Sequence, residues 1–183
     1  MMDRRQWMAG ALSAVTLPGI ASGSEVAGKN ASPSSGSVRE TMPVLAKHEG
    51  AWEGTYTFVD LLGEVKDQYD FRIDVVLSVD DEHAYQQTSR YRWKDGRTQE
   101  LFFEAQHRHG ELVWDNGRIA GHLRQLDDRS LYLRFGFAAM PDVECFEMIQ
   151  ISYDGESRGR TWLWYRNQAL YQSVLIDERR IKA

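Results

Sequence analysis

From Ala51 to the end of the chain, apolar and polar residues alternate with a period of two, and this is the feature that most limits the fold. Trp52, Tyr56 and Phe58 alternate with Glu53, Thr55 and Thr57, and Gly54 falls in the apolar register. Tyr69, Phe71, Ile73, Val75 and Leu77 share one face, with Gln68, Asp70, Arg72 and Asp74 on the other. Successive side chains of a strand point to opposite faces, so this pattern specifies half-buried strands and not helices. Turn signals interrupt it every 8–15 residues. They include Leu62-Gly63-Glu64, Asp95-Gly96, the Gly110 and Gly117 turns, Asp127-Asp128, Asp154-Gly155 and Arg166-Asn167-Gln168. The runs between them give about ten sequential strands. Hairpin-linked neighbours without a long crossover make a meander, which loses its exposed edges by closing on itself. The fold class is therefore all-β, a single antiparallel up-and-down β-barrel of about 8–10 strands, with an open sandwich as the alternative. Met42 to His48 precede the strands as one short helical turn, with Leu45 placed to plug an end of the barrel.

The first 28 residues follow a different rule. Met1-Met2-Asp3-Arg4-Arg5-Gln6-Trp7-Met8 leads into the small, apolar run Ala9–Ala21, broken by Pro18. A basic start, an apolar stretch and a small-residue region are the parts of a secretory signal, and adjacent arginines suit the twin-arginine type. The run is shorter than the roughly 20 apolar residues a membrane span needs. The expected organisation is a signal peptide over 1–28, a disordered linker over 29–42 and one barrel domain over 43–183. Export to the periplasm or beyond follows, with no membrane insertion once the signal is removed; a cytoplasmic protein with a loose N-terminal extension is the alternative.

Composition narrows the function. A net charge of −5 argues against a nucleic-acid surface. The single cysteine, Cys145, rules out an internal disulfide framework and a cysteine zinc cluster, and in its strand it reads as a small buried hydrophobe. Neither phosphate-loop glycine pattern is present, nor a G-x-S-x-G nucleophile elbow. His107-Arg108-His109 has a chelating spacing but sits beside the Gly110 turn without a third ligand, so both histidines read as solvent-exposed turn residues and no metal is expected. No histidine follows His122, so no axial haem ligand lies in the late strands, and no cofactor is expected.

Aromatic residues make up 11% of the chain, with 6 Trp and 8 Tyr, and many share strand faces with polar residues. If the apolar faces point inward, Tyr56, Tyr85, Gln87, Trp93, Trp114, Asn116, Trp162 and Tyr171 line a pocket with aromatic walls and a few polar anchors, the make-up of a small-molecule site. The plainer alternative is that these side chains fill the core. Glu147 and Arg160 are candidates for a buried ion pair. They also qualify as general acid/base and anion-binding groups, with Tyr91 as a further proton-transfer residue, because a carboxyl lodged in an apolar barrel is pushed toward proton exchange near neutral pH.

The segment His48-Glu49-Gly50-Ala51-Trp52-Glu53-Gly54-Thr55-Tyr56, with its Gly-x-Trp at the head of a meander, resembles the calycin superfamily of lipocalins, fatty-acid-binding proteins and nitrobindins. That resemblance implies that Gly50 and Trp52 mark the closed end, with a late-strand arginine stacked on the indole and Arg160 in that role. Gly50–Tyr56, Tyr91–Arg97, Phe146–Ile149, Arg160–Tyr165 and Leu175–Glu178 are similar to a family of uncharacterised calycin-like domains, themselves distantly similar to the lyases that attach bilins to phycobiliproteins. The family implies a fold and a cavity, not a reaction. The expected function is binding of a small hydrophobic or aromatic molecule for carriage or sequestration. The alternatives are a cofactor-independent lyase, isomerase or cyclase in the same cavity, and a filled barrel with no ligand.

Overall fold

A computed structural model of the chain describes residues 36–182. Two four-residue helical turns, α1 (Val38–Thr41) and α2 (Pro43–Ala46), precede ten strands. These are β1 (Gly50–Val59), β2 (Val65–Leu77), β3 (Tyr85–Trp93), β4 (Thr98–Arg108) and β5 (Glu111–Asp115), then β6 (Ile119–Gln125), β7 (Ser130–Phe137), β8 (Met140–Ile151), β9 (Ser157–Arg166) and β10 (Ala169–Arg180). Each strand pairs antiparallel with the next, and β1 pairs with β10, so the sheet is a closed barrel. Closure removes every strand edge, the outcome a long meander with one apolar face requires. The period-two pattern becomes an inside and an outside. Tyr69, Phe71, Ile73, Val75 and Leu77 are buried, while Gln68, Asp70 and Arg72 face solvent.

One end is sealed. Val38, Met42, Val44 and Leu45 are buried. The Val44 N–H donates to Gln125 Oε1 at 2.9 Å, and Arg39 donates to both Glu49 Oε1 (2.7 Å) and the Leu77 carbonyl (2.6 Å). The plugging role of Leu45 is as read from the sequence, but the plug starts earlier than the domain start at 43. Within the described residues, the part of the expected linker from Val38 to Thr41 is helical, with Met42 as its C-cap, and it is held because Val38 and Met42 bury their side chains. Residues 1–28 and the linker residues 29–35 lie outside the described residues. Where β1 and β10 cross, Gly54 has no room for a side chain, since a Cβ there would lie 2.0 Å from the Asp177 carbonyl oxygen. Among the described residues no helix is long and apolar enough to cross a membrane.

Candidate functional site

The sealed end is organised by Trp52. Its indole lies between two guanidinium groups, Arg158 at 4.3 Å and Arg180 at 4.2 Å from the ring, and its N–H donates to the His48 carbonyl at 2.9 Å. Arg160, the expected partner, stands two residues too far along β9 and lies instead 5.6 Å from the Trp162 ring. Arg158 was hidden because β9 begins at Ser157, inside the polar stretch after Asp154-Gly155 that reads as turn. Extending the Arg160, Trp162, Trp164 alternation back by two residues would have found it.

From Trp52 a row of ionic side chains runs into the barrel. Arg158 bonds to Glu178 Oε2, Arg160 Nη1 donates to Glu178 Oε1 at 2.9 Å, and Arg160 Nε donates to Glu147 Oε1. All four are buried. His48, also buried, faces Arg158 Nη1 with its Nδ1 at 3.2 Å. An arginine only donates, so Nδ1 accepts and the imidazole is neutral with its proton on Nε2. Burial, reinforced by Arg158, Arg160 and Arg180, holds the His48 pKa well below its ordinary value. Burial also lowers Arg158 despite its bond to Glu178. For Arg160 burial works downward too, but Glu147, Tyr56 and Glu178 outweigh it and raise the group well above its usual range. Glu147 and Arg160 thus form the buried ion pair the sequence offered as one of two readings.

Above this row sits a layer of hydroxyls and aromatic rings. The Tyr85 hydroxyl donates to Gln87 Oε1, and Gln87 Nε2 donates to Ser89 Oγ at 2.7 Å. Tyr91 bonds to the Ser89 and Tyr56 side chains. Burial pushes the Tyr85 hydroxyl up to about 12 and raises Tyr56, Tyr69 and Tyr91, so these groups stay protonated at neutral pH. Tyr56 meets Phe71 at 4.5 Å, Tyr69 at 5.3 Å and Trp162 at 5.6 Å between ring centres. Trp114 is buried against Tyr85.

The opposite end is open. Phe58, Trp93, Phe103 and Trp162 lie on the inward faces of β1, β3, β4 and β9, yet all four are only half-buried. Tyr171 joins this end, its ring edge-on to Trp164 and beneath Arg166. Two concavities flank the opening. One of about 320 Å³ lies along Gln68–Asp70 and Arg92–Lys94, and one of about 300 Å³ lies between the β5–β6 and β7–β8 turns.

Most of the residues expected to line a site therefore face the interior, from Tyr85 and Gln87 at mid-depth to Trp93 and Tyr171 at the mouth. Asn116 does not. It is exposed in the β5–β6 turn, where its Oδ1 accepts from the Arg118 and Ile119 N–H groups, because β5 ends one residue before it. His107 also departs from expectation. It is buried on β4, within 2.9 Å of Thr41 Oγ1 and 3.1 Å of Asp81 Oδ1, because β4 runs on to Arg108 before turning. His109 is in the turn and exposed. Ser89 and Glu178, both central to the network, were missed. Each is a small or charged residue on an inward position, where the sequence pattern gives no polar signal.

A closed ten-strand meander, plugged at one end and lined with aromatic rings toward the other, is a calycin-type barrel. The chain belongs to the family described as domain of unknown function DUF3598, N-terminal, whose pattern matches residues 39–183. No curated protein matches it. Among solved structures it is similar to a DUF3598 protein of unknown function from Nostoc punctiforme, with a TM-score of 0.55 and 13% identity over 75% of this chain and 49% of that one. This chain thus spans about half the length of that relative. It is also similar to the S-type phycobiliprotein lyase CPES from Guillardia theta (TM-score 0.55, 10% identity, 81% of this chain and 95% of that one) and to Rv2717c from M. tuberculosis (0.55, 15%, 78% and 98%). These likenesses are of fold.

Proposed function

We propose that the protein is a binding barrel that takes a small, largely hydrophobic molecule with aromatic or conjugated rings through its open end, for carriage or sequestration. The half-exposed, inward-facing rings of Phe58, Trp93, Phe103 and Trp162 carry this reading. Apolar rings turned toward a barrel's axis but still reached by solvent are surface that a ligand covers with a gain of roughly 25 cal/mol per Å². The protonated tyrosines beneath them serve as hydrogen-bond donors. Glu147, clamped by Arg160, serves as a structural counter-ion and not as a mobile proton carrier. The likeness to a phycobiliprotein lyase supports the barrel and makes conjugated chromophores sensible first candidates.

The direct test is native mass spectrometry of protein purified from its own source, followed by extraction and identification of bound material. The expected result is a co-purified aromatic or conjugated compound that is returned unchanged after incubation. Chemical conversion of that compound would replace carriage with catalysis. A bare protein mass, together with failure of such compounds to quench tryptophan emission, would overturn the reading in favour of a filled barrel. Export is part of the same proposal, supported by Arg4-Arg5 and the apolar run after them. Fractionation should place the protein outside the cytoplasm, shortened at its N-terminus; a full-length cytoplasmic chain would remove that part.

A further inference from the structure

We propose that the part of the ligand entering the barrel is uncharged and presents a hydrogen-bond donor beside an acceptor, the two being received by Glu147 and Trp162. This rests on the interior-binding reading above and specifies the chemical class of the molecule bound.

The charge count comes first. The buried ionic side chains of the network are two carboxylates, Glu147 and Glu178, and two guanidinium groups, Arg158 and Arg160, and they are bonded to one another in a row. His48, at the end of the row, is neutral by the geometry of its bond to Arg158. The network sums to zero. A barrel that held an anionic ligand through its arginines would leave them facing space; here both are already taken by carboxylates. An ion of either sign brought to this depth would stay uncompensated in a low-dielectric interior, which costs far more than a hydrogen bond returns.

His48 Nε2, at the sealed end of the row, lacks a partner, and so do two polar atoms that stand together beside the inner end of the network. Glu147 Oε2 is buried without a donor, and Trp162 Nε1 is buried without an acceptor. The first can only accept and the second can only donate. Glu147 and Trp162 are directly opposite each other on β8 and β9 and both face inward, so their Cβ atoms are roughly 5 Å apart. A single compact group with an N–H or O–H next to a carbonyl, such as a carboxamide, a lactam or a hydroxy-carbonyl, spans that gap. Buried polar atoms are ordinarily satisfied, so such a complementary pair on adjacent strands points to a group supplied from outside the chain. Both atoms are closed to water, so the incoming group reaches them as the half-buried Trp162 indole shifts. The rings of Tyr56 and Phe135, each 5.6 Å from that indole and edge-on to it, receive the planar body behind the polar group.

The test is calorimetric titration of the protein with three compounds on one skeleton: naphthalene-2-carboxamide, methyl 2-naphthoate and the 2-naphthoate anion. The carboxamide should bind about tenfold or more tightly than the anion, a difference of about 1.4 kcal/mol or more, with the ester between them. In Glu147→Gln the network keeps two guanidinium groups and one carboxylate, so the anion should gain about tenfold relative to the carboxamide. Trp162→Phe retains a ring but loses the indole N–H, and should weaken the carboxamide about fivefold to tenfold. It also serves as the second variant if Glu147→Gln does not fold. Wild-type protein that binds the anion as tightly as the carboxamide, or a folded Glu147→Gln with an unchanged order of preference, would overturn the proposal and leave interior binding intact. No heat from any of the three compounds would withdraw the interior-binding reading itself.

Discussion

At the scale of single residues, two side chains set the sealed end. Trp52 is fully buried between Arg158 and Arg180. Replacing it with alanine removes a large buried ring and two cation–π contacts, and should cost about 3–5 kcal/mol. Denaturant unfolding measures this, and an unchanged midpoint would show that the stack does not hold the end shut. His48 makes stability depend on pH. Its folded-state pKa is depressed, whereas in the unfolded chain it titrates near about 6.5. Above that value neither state takes a proton and His48 contributes no pH dependence. Below it the unfolded chain binds a proton that the folded barrel refuses, so stability falls as the pH falls. His48→Asn, which retains an acceptor for Arg158, should flatten the decline in melting temperature between pH 7 and 5. A slope identical to wild type would assign the acid sensitivity to other groups.

At the scale of elements, strands and turns differ in how openly the sequence announces them. All ten strands were legible from alternation and turn residues, because burying one face of a sheet imposes period two whatever the partner. Strand ends were less legible. β9 starts at Ser157, three residues before Arg160, and His83, two residues before β3, belongs to the 3₁₀ turn Asp81–His83. In both places polar side chains sit on positions that only the assembled barrel turns inward or outward. For the same reason the aromatic lining could be read in advance, while the row linking His48, Arg158, Glu178, Arg160 and Glu147 could not; a charged residue in a strand carries no mark of which charge it will meet across the barrel. The β9–β10 hairpin yields a prediction of its own. Its two central residues, Asn167 and Gln168, both have positive φ, 49° and 67°, and the flanking Arg166 and Ala169 pair directly. This is the two-residue turn that favours Asn-Gly, and glutamine is strained there. Gln168→Gly should raise stability by about 0.5–1 kcal/mol, read as a higher melting temperature; a lower one would mean that the Gln168 side chain makes a contact worth more than the strain.

At the scale of the whole molecule, polarity and access are arranged along the barrel axis. Ionic groups gather near the plug, hydroxyls occupy the middle, and half-covered rings stand at the mouth. Substitutions of the rings at the mouth, such as Phe58 and Trp93, can therefore change affinity without disturbing the bonds that close the other end. The pairing of β1 with β10 has a further geometric result. The Ile181 N–H bonds to the Ala51 carbonyl at 2.9 Å, and the Arg180 guanidinium reaches the carbonyls of Lys47 (2.6 Å) and Glu49 (2.7 Å). The chain enters and leaves the fold on the same, plugged side. A label or a fused partner joined directly to the barrel domain, before Val38 or after Arg180, therefore points away from the entrance, so the immobilised domain would present its opening to solution.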